Sequence, residues 1–279
     1  MLNLREQLKQ IAQETLKIQQ QGFYVAPSGN SVDISNAQKL SEEKSYLISP
    51  DEGRKLSSVI KIDITKRAII EVRNVSTISA IIDKARYGSS VAVLNFASAR
   101  NPGGGFLKGS MSQEEALAYS SGLYNSQIRH MEYYESNKKC KSMMYTDNAI
   151  YSPDVVFFRN ADLDLLEKPV TASVLTLPAV NMKQVITKGE DINEANKVMK
   201  YRMRLVLSIF AKNKNKVIIL GAYGCGVFGN DPNEIAAWWK DMLIDKSYGC
   251  LFDTVVFAVL DKLEGSNISA FEQTFKDFY

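Results

Sequence analysis

One histidine and three cysteines in a chain of 279 residues leave little material for several common chemistries. With His130 as the sole imidazole, a His-rich metal site is excluded, and any Ser/His/Asp or Cys/His mechanism must run through that one side chain. It sits in a polar helical stretch and reads as a surface histidine. Cys140, Cys225 and Cys250 are odd in number, far apart and without CxxC spacing. That argues against a disulfide framework and a zinc site, and points to a reducing, cytoplasmic setting. Long apolar runs are missing as well: stretches such as Val255–Leu260 fall far short of the roughly 20 residues that span a bilayer. The polar start, MLNLREQLKQIAQETLKIQQQ, has no signal-peptide core, so neither export nor a membrane partner is expected. Charge of one sign is concentrated nowhere, and a net charge of +3 gives no bulk electrostatic reason to bind nucleic acid. No repeat, low-complexity tract or long Pro/Gly/Ser linker divides the chain. The expectation is a monomer, with an N-terminal helical extension over 1–60 packed as one globular unit with a main domain over 61–279.

What is present is a 45% apolar composition, ample for one large core or two modest ones. Runs rich in β-branched residues at 68–75, Val91–Ala97, Val155–Phe158, Val174–Leu177, Val217–Gly221 and Val255–Leu260 read as strands. Several are apolar throughout, as strands covered on both faces are. Helical patterns lie between them at Thr77–Arg86, Gln113–Glu135, Ile192–Ala211 and Pro232–Leu243, the last introduced by an N-cap Asp231, Pro232 and Glu234. Strands alternating with helices predict an α/β fold around a mixed, largely parallel sheet flanked by helices. Three of the strands end in unusual loops, Asn95–Gly105, Leu177–Asn181 and Gly221–Gly229. Ligands of open α/β sheets bind outside the carboxyl ends of the strands, so these loops should line one cleft.

Two of those loops are glycine-rich, Gly103-Gly104-Gly105 and Gly224-Cys225-Gly226-Val227-Phe228-Gly229, and each precedes a helix. Such loops bring backbone N–H groups close to phosphate oxygens, which suggests a diphosphate ligand; alternatively, the glycines serve tight turns of positive φ. The order Lys108-Gly109-Ser110 is wrong for a Walker loop. The second loop matches GxGxxG and is followed by an acid, Asp261, but that acid comes too late for a dinucleotide fingerprint. Ser112-Gln113-Glu114-Glu115 opens a helix seven residues after the glycine triplet. Two carboxylates there could supply a general acid and a hydroxyl-binding partner, yet Ser112 and Glu115 also spell a capping box, which spacing alone favours.

Gly103-Gly104-Gly105, seven residues, then Gln113-Glu114-Glu115 resembles the GGG-x(6–8)-QEE signature of poly(ADP-ribose) glycohydrolases. The surrounding VLNFASARNPGGGFLKGSMSQEEALAYSSGLY and the later GAYGCGVFGNDP are similar to the bacterial-type members, over about Val91 to Asp261. The resemblance implies a macrodomain-like fold and cleavage of the ribose–ribose O-glycosidic bond of poly(ADP-ribose), releasing ADP-ribose, without a cofactor or metal. By position it implies that Glu115 is the catalytic acid and that Glu114 and Gln113 help hold the sugars. Gly103, Gly104 and Gly105 would contact the diphosphate and the scissile ribose. Gly224, Cys225, Gly226, Val227 and Phe228 would wrap the diphosphate from its other side, with Phe228 against ribose. Asn95 opens the counterpart of the Asn-Ala-Ala-Asn stretch of ordinary macrodomains, in which Ser98 replaces the last Asn. ADP-ribosylated proteins enter as substrates alongside the polymer. The rival readings are a mono-ADP-ribosyl hydrolase using the same pocket and a non-catalytic ADP-ribose reader; intact Gln113-Glu114-Glu115 argues against the reader.

Overall fold

The segments marked as strands all enter one seven-stranded sheet. The computed structural model describes residues 3–278 apart from 61, 63–65, 87 and 89. Its first part comprises α1 (Leu4–Gln21), β1 (Phe23–Val25), β2 (Ser31–Asp33), α2 (Ser35–Lys44), β3 (Tyr46–Ile48) and α3 (Pro50–Ser58). There follow β4 (Ile69–Arg73), α4 (Thr77–Ala85), β5 (Val91–Phe96), α5 (Gln113–Ser120), α6 (Leu123–Ile128), α7 (Met131–Lys139), β6 (Ala149–Arg159) and β7 (Leu165–Leu177). The remainder is α8 (Met182–Thr187), α9 (Ile192–Lys212), β8 (Val217–Leu220), α10 (Pro232–Lys240), β9 (Thr254–Ala258) and α11 (Ser266–Phe275). The strand order is β3-β6-β7-β5-β8-β9-β4, with β1 and β2 forming a separate hairpin. Pairing is parallel from β7 through β4 and antiparallel at β3·β6 and β6·β7, so the sheet is mixed and largely parallel, as expected.

The uniformly apolar strands are explained by two cores. Ala92 and Leu94 of β5, Ile218 and Leu220 of β8, and Val255 and Phe257 of β9 face a core completed by α9, α10 and α11. The alternate residues Val91, Val93, Val217, Ile219, Val256 and Ala258 face a second core under α4 and α5. Successive side chains point to opposite faces, so a strand with a core on each side has no polar face to show.

Two expectations need correction. The pattern at Gln113–Glu135 is not one helix but α5, α6 and the start of α7. The break lies at Ser121, whose backbone is extended and bridges to Phe157, while its hydroxyl donates to Leu117 O and accepts from Leu123 N–H. A serine that satisfies both flanking backbones competes with helix continuation. Residues 1–60 hold three helices but also strands: the hairpin, and β3, which is hydrogen-bonded to β6 at the sheet edge. The expected division at residue 60 adjoins residues 61 and 63–65, which lie outside the described residues. The expected start of α10 is present, with Asp231 accepting from Asn233 N–H ahead of Pro232, and Gly22, at φ +76, closes α1. No helix among the described residues is long and apolar enough to cross a membrane.

Candidate active site

On the face under α5, β5 runs Val91, Val93, Asn95 and β7 runs Ala172, Val174, Thr176, with Asn95 and Thr176 paired in register. The last residue of each apolar series is therefore polar, and both are completely buried. Above them stands the first turn of α5. It is anchored by Gln113, whose Oε1 accepts from Phe96 N–H at 2.9 Å and whose Nε2 donates to Leu94 O at 2.9 Å. These β5 groups lie beyond Val93, where the pairing of β5 with β8 ends.

Glu114 is thereby placed in the interior, 3% exposed. Its Oε1 accepts from Asn95 Nδ2 at 3.2 Å and Gln127 Nε2 at 3.0 Å, and its Oε2 from Ser98 N–H at 2.6 Å. Burial pushes its pKa up to about 8 against the pull of these donors, with the neighbouring charge of Glu115 adding to the rise. Gln127 cannot be turned around, because its Oε1 accepts from Gly103 N–H at 3.0 Å; it ties the glycine triplet to the carboxylate. Glu115 is placed differently. Its Oε1 accepts from Gly105 N–H at 2.7 Å, and no other donor among the described residues reaches its carboxylate. The capping box favoured by spacing does not form: the Ser112 side chain makes no cap bond, and Glu115 accepts from Gly105 N–H rather than from that of Ser112.

The glycine triplet is needed for this approach. Gly103 and Gly104 have φ of +62 and +60, and a Cβ on Gly104 would strike the carboxylates of Glu115 and Glu114. The amides of Gly103, Gly104 and Gly105 are all taken, by Gln127, Asn101 O and Glu115. The turn Phe106–Lys108 that follows is held by Tyr119 of α5, whose hydroxyl donates to Phe106 O or Ser110 O, each at 2.9 Å. Across the cleft, Asn230 Nδ2 donates to Val180 O and Gly224 O, and Gly224, at φ +80, packs against Asn230 and Ala179. The amides of Gly226, Val227 and Phe228 have no partner among the described residues, so this second loop is where open N–H groups are found.

The cleft between the loops measures about 450 Å³ and lies at the carboxyl ends of β5, β7 and β8. Of the residues singled out in the sequence, Gln113, Glu114, Glu115, Gly104, Gly105, Gly224, Gly226, Val227 and Phe228 line it. Asn95 and Gly103 lie beneath the lining, and Cys225 packs toward the core, where burial pushes its thiol up to about 12. His130 is not the surface residue expected: its side chain is 13% exposed, Nε2 lies 2.9 Å from Ser45 Oγ, and burial lowers its pKa. It is no part of the cleft. Asp261 is occupied at the start of α11, accepting from the N–H groups of Lys262, Asn267 and Ile268, which closes the dinucleotide reading. Sequence reasoning missed Gln127 and Thr176, and met Lys108, which lines the cleft, only within the rejected Walker order. Thr176 could have been found by following the alternation of β7 to its end; Gln127 was hidden by reading α5 and α6 as one helix.

Comparison with known proteins agrees with this geometry. Residues 12–160 match the family described as microbial-type PARG, catalytic domain. The poly(ADP-ribose) glycohydrolase of Thermomonospora curvata is 36% identical over 97% of this chain and 100% of that chain, with a TM-score of 0.91. Its complex with the inhibitor ADP-HPD matches with a TM-score of 0.90. The Deinococcus radiodurans enzyme, solved with ADP-ribose, is 35% identical over 87% of this chain and 98% of that chain, with a TM-score of 0.81. No curated protein sequence matches significantly. The family match spans more than half of the chain, from within α1 through the glycine triplet and both glutamates to the end of β6, and so the chain belongs to the microbial-type poly(ADP-ribose) glycohydrolases.

Proposed function

We propose that this chain hydrolyses the ribose–ribose O-glycosidic bond of poly(ADP-ribose), releasing ADP-ribose, with Glu115 as general acid. The observation that carries the reading is the unequal treatment of two adjacent carboxylates that both line the cleft: Glu114 is held by three protein donors, whereas Glu115 has one. Glu115 is thus the carboxyl with the greater capacity left for a substrate. It gives its proton to the bridging oxygen as the bond to the terminal ribose breaks; water adds to the resulting oxocarbenium-like carbon and its proton returns to Glu115. Glu114 presents its remaining capacity on Oε2 to a ribose hydroxyl. The open amides of Gly226, Val227 and Phe228 receive the diphosphate, whose charge also steadies the developing cation. Gln113, with both amide atoms bonded to β5, acts by setting the position of the two glutamates. No step calls for a metal or cofactor. The reading extends to a macrodomain-type relationship, to a monomer in the cytoplasm, with which three free thiols accord, and to ADP-ribosylated proteins as carriers of the polymer.

The test is chromatography of the products released from purified poly(ADP-ribose) by the wild type and by Glu115→Gln, alongside binding of free ADP-ribose to both. Turnover should fall by about 10²–10⁴-fold in the variant, with binding kept within a few-fold. Wild-type rates in Glu115→Gln would refute the assignment, and binding without release by either protein would leave an ADP-ribose reader.

A further inference from the structure

Among the described residues that line the cleft, Lys108 is the only cation. It belongs to the turn that follows the glycine triplet, and its N–H donates to the carbonyl of Gly105, the residue whose own N–H holds Glu115. Lys108 is therefore on the Glu115 side of the cleft, across from the open amides of Gly226, Val227 and Phe228. A second cation stands beside it. Arg5, in the first turn of α1, donates from Nε to Lys108 O at 2.9 Å, and Gly109, at φ +74, packs so closely on Arg5 that a Cβ there would strike its carbonyl. Both side chains are exposed, and neither forms an ion pair among the described residues. The acid nearest Arg5 in sequence, Glu6, is paired with Lys9 at 2.8 Å. Two neighbouring cations without a counter-ion, one of them lining the cleft, mark a place where an anion is favoured.

We infer that Lys108 and Arg5 form a subsite for the diphosphate of the ADP-ribose unit next to the terminal one. The inference rests on the function proposed above, because Glu115 then defines where the leaving group lies. The general acid must face the bridging oxygen, and on the far side of that oxygen is the ribose of the penultimate unit, which carries its own diphosphate. A polyanion extending past Glu115 gains from cations placed on that side. The consequence is selectivity: the pair assists a polymer and does nothing for a single ADP-ribose unit, and it gives the N-terminal helix a share in substrate recognition.

The test compares the wild type with Lys108→Gln, Arg5→Gln and the double variant, all exposed positions at which the fold should survive, verified by thermal melts. Purified poly(ADP-ribose) gives kcat and KM across a salt series, and free ADP-ribose gives affinity. In the double variant KM for polymer should rise by about tenfold with the loss confined to KM. The salt dependence of kcat/KM should flatten, and ADP-ribose affinity should stay within about twofold. An unchanged KM and salt slope would overturn the inference. So would a loss of ADP-ribose affinity in step with KM, which would place the cations on the terminal unit. Failure of the wild type to release ADP-ribose at all would instead remove the underlying function, and the subsite with it.

Discussion

Replacing Glu114 by glutamine removes a buried titrating carboxyl while keeping its shape, and the structure sets what that must do to stability as a function of pH. In the folded protein burial holds the pKa at about 8, against an ordinary value of 4.5. Below about pH 4.5 the group is protonated in both folded and unfolded chains. Between about 4.5 and 8 the unfolded chain has released the proton and the folded one retains it, so stability falls as pH rises. At ~1.4 kcal/mol per pH unit the loss across that window amounts to at most about 5 kcal/mol. Glutamine abolishes this slope but adds a constant cost, because its three neighbours, Ser98 N–H, Asn95 Nδ2 and Gln127 Nε2, all donate to the native carboxyl. An amide must turn its own NH₂ toward at least one of them, at about 1–3 kcal/mol. Urea unfolding of both proteins from pH 4.5 to 8.5 separates the two effects, since the offset is constant and only the difference in slope reports the carboxyl. The advantage of the wild type over Glu114→Gln should shrink as pH rises toward 8. A difference that is flat, or that grows with pH, would show that Glu114 is ionised in the folded protein throughout and would refute the reasoning.

Two further outcomes follow from contacts described above. Gln127→Leu leaves the buried Gly103 N–H without its acceptor and takes one of three donors from Glu114, so it should lower stability by about 2–4 kcal/mol, read by thermal melts, with a larger loss in kcat than in KM; an unchanged melt would show that neither bond matters. We also propose that residues 1–60 and 61–279 fold as one unit. Thr15 and Gln19 donate to the carbonyls of Tyr119 and Ser121, and β3 completes the sheet edge, so a 61–279 fragment should lack a cooperative melt; a sharp transition near that of the full chain would separate the two parts.

Periodicity and turn composition made the sheet legible, because strands with a core on either side are apolar at every position and their terminal loops stand out by contrast. The edge elements were harder to read. β3 is three residues long, and the hairpin of β1 and β2 lies beside α1 with little patterning of its own. β6 runs well beyond the apolar Val155–Phe158 because Pro153 and Asp154, the latter at φ +48, sit in a register shift that the ladder absorbs. The two glutamates were legible through a motif, but their division of labour was not: on spacing Glu115 reads as a cap, and only the close approach of Gly104 and Gly105 shows it bonded elsewhere. Gln127 carries no local signal, since its partners lie 24 and 13 residues away in the chain.

The side chain of Gln113 behaves as one rung of a strand. Where β8 stops pairing, β5 presents one N–H and one C=O, and a primary amide supplies the complementary acceptor and donor together. That spelling is narrow. Glutamate at 113 would offer two acceptors to an edge that needs one of each, and asparagine, shorter by one methylene, would have to draw α5 inward to meet the same two atoms. Because Glu114 and Glu115 follow directly, any such shift is transmitted through the helix to both carboxylates at once, so the letter before the acidic pair fixes the height at which the pair stands above the cleft floor.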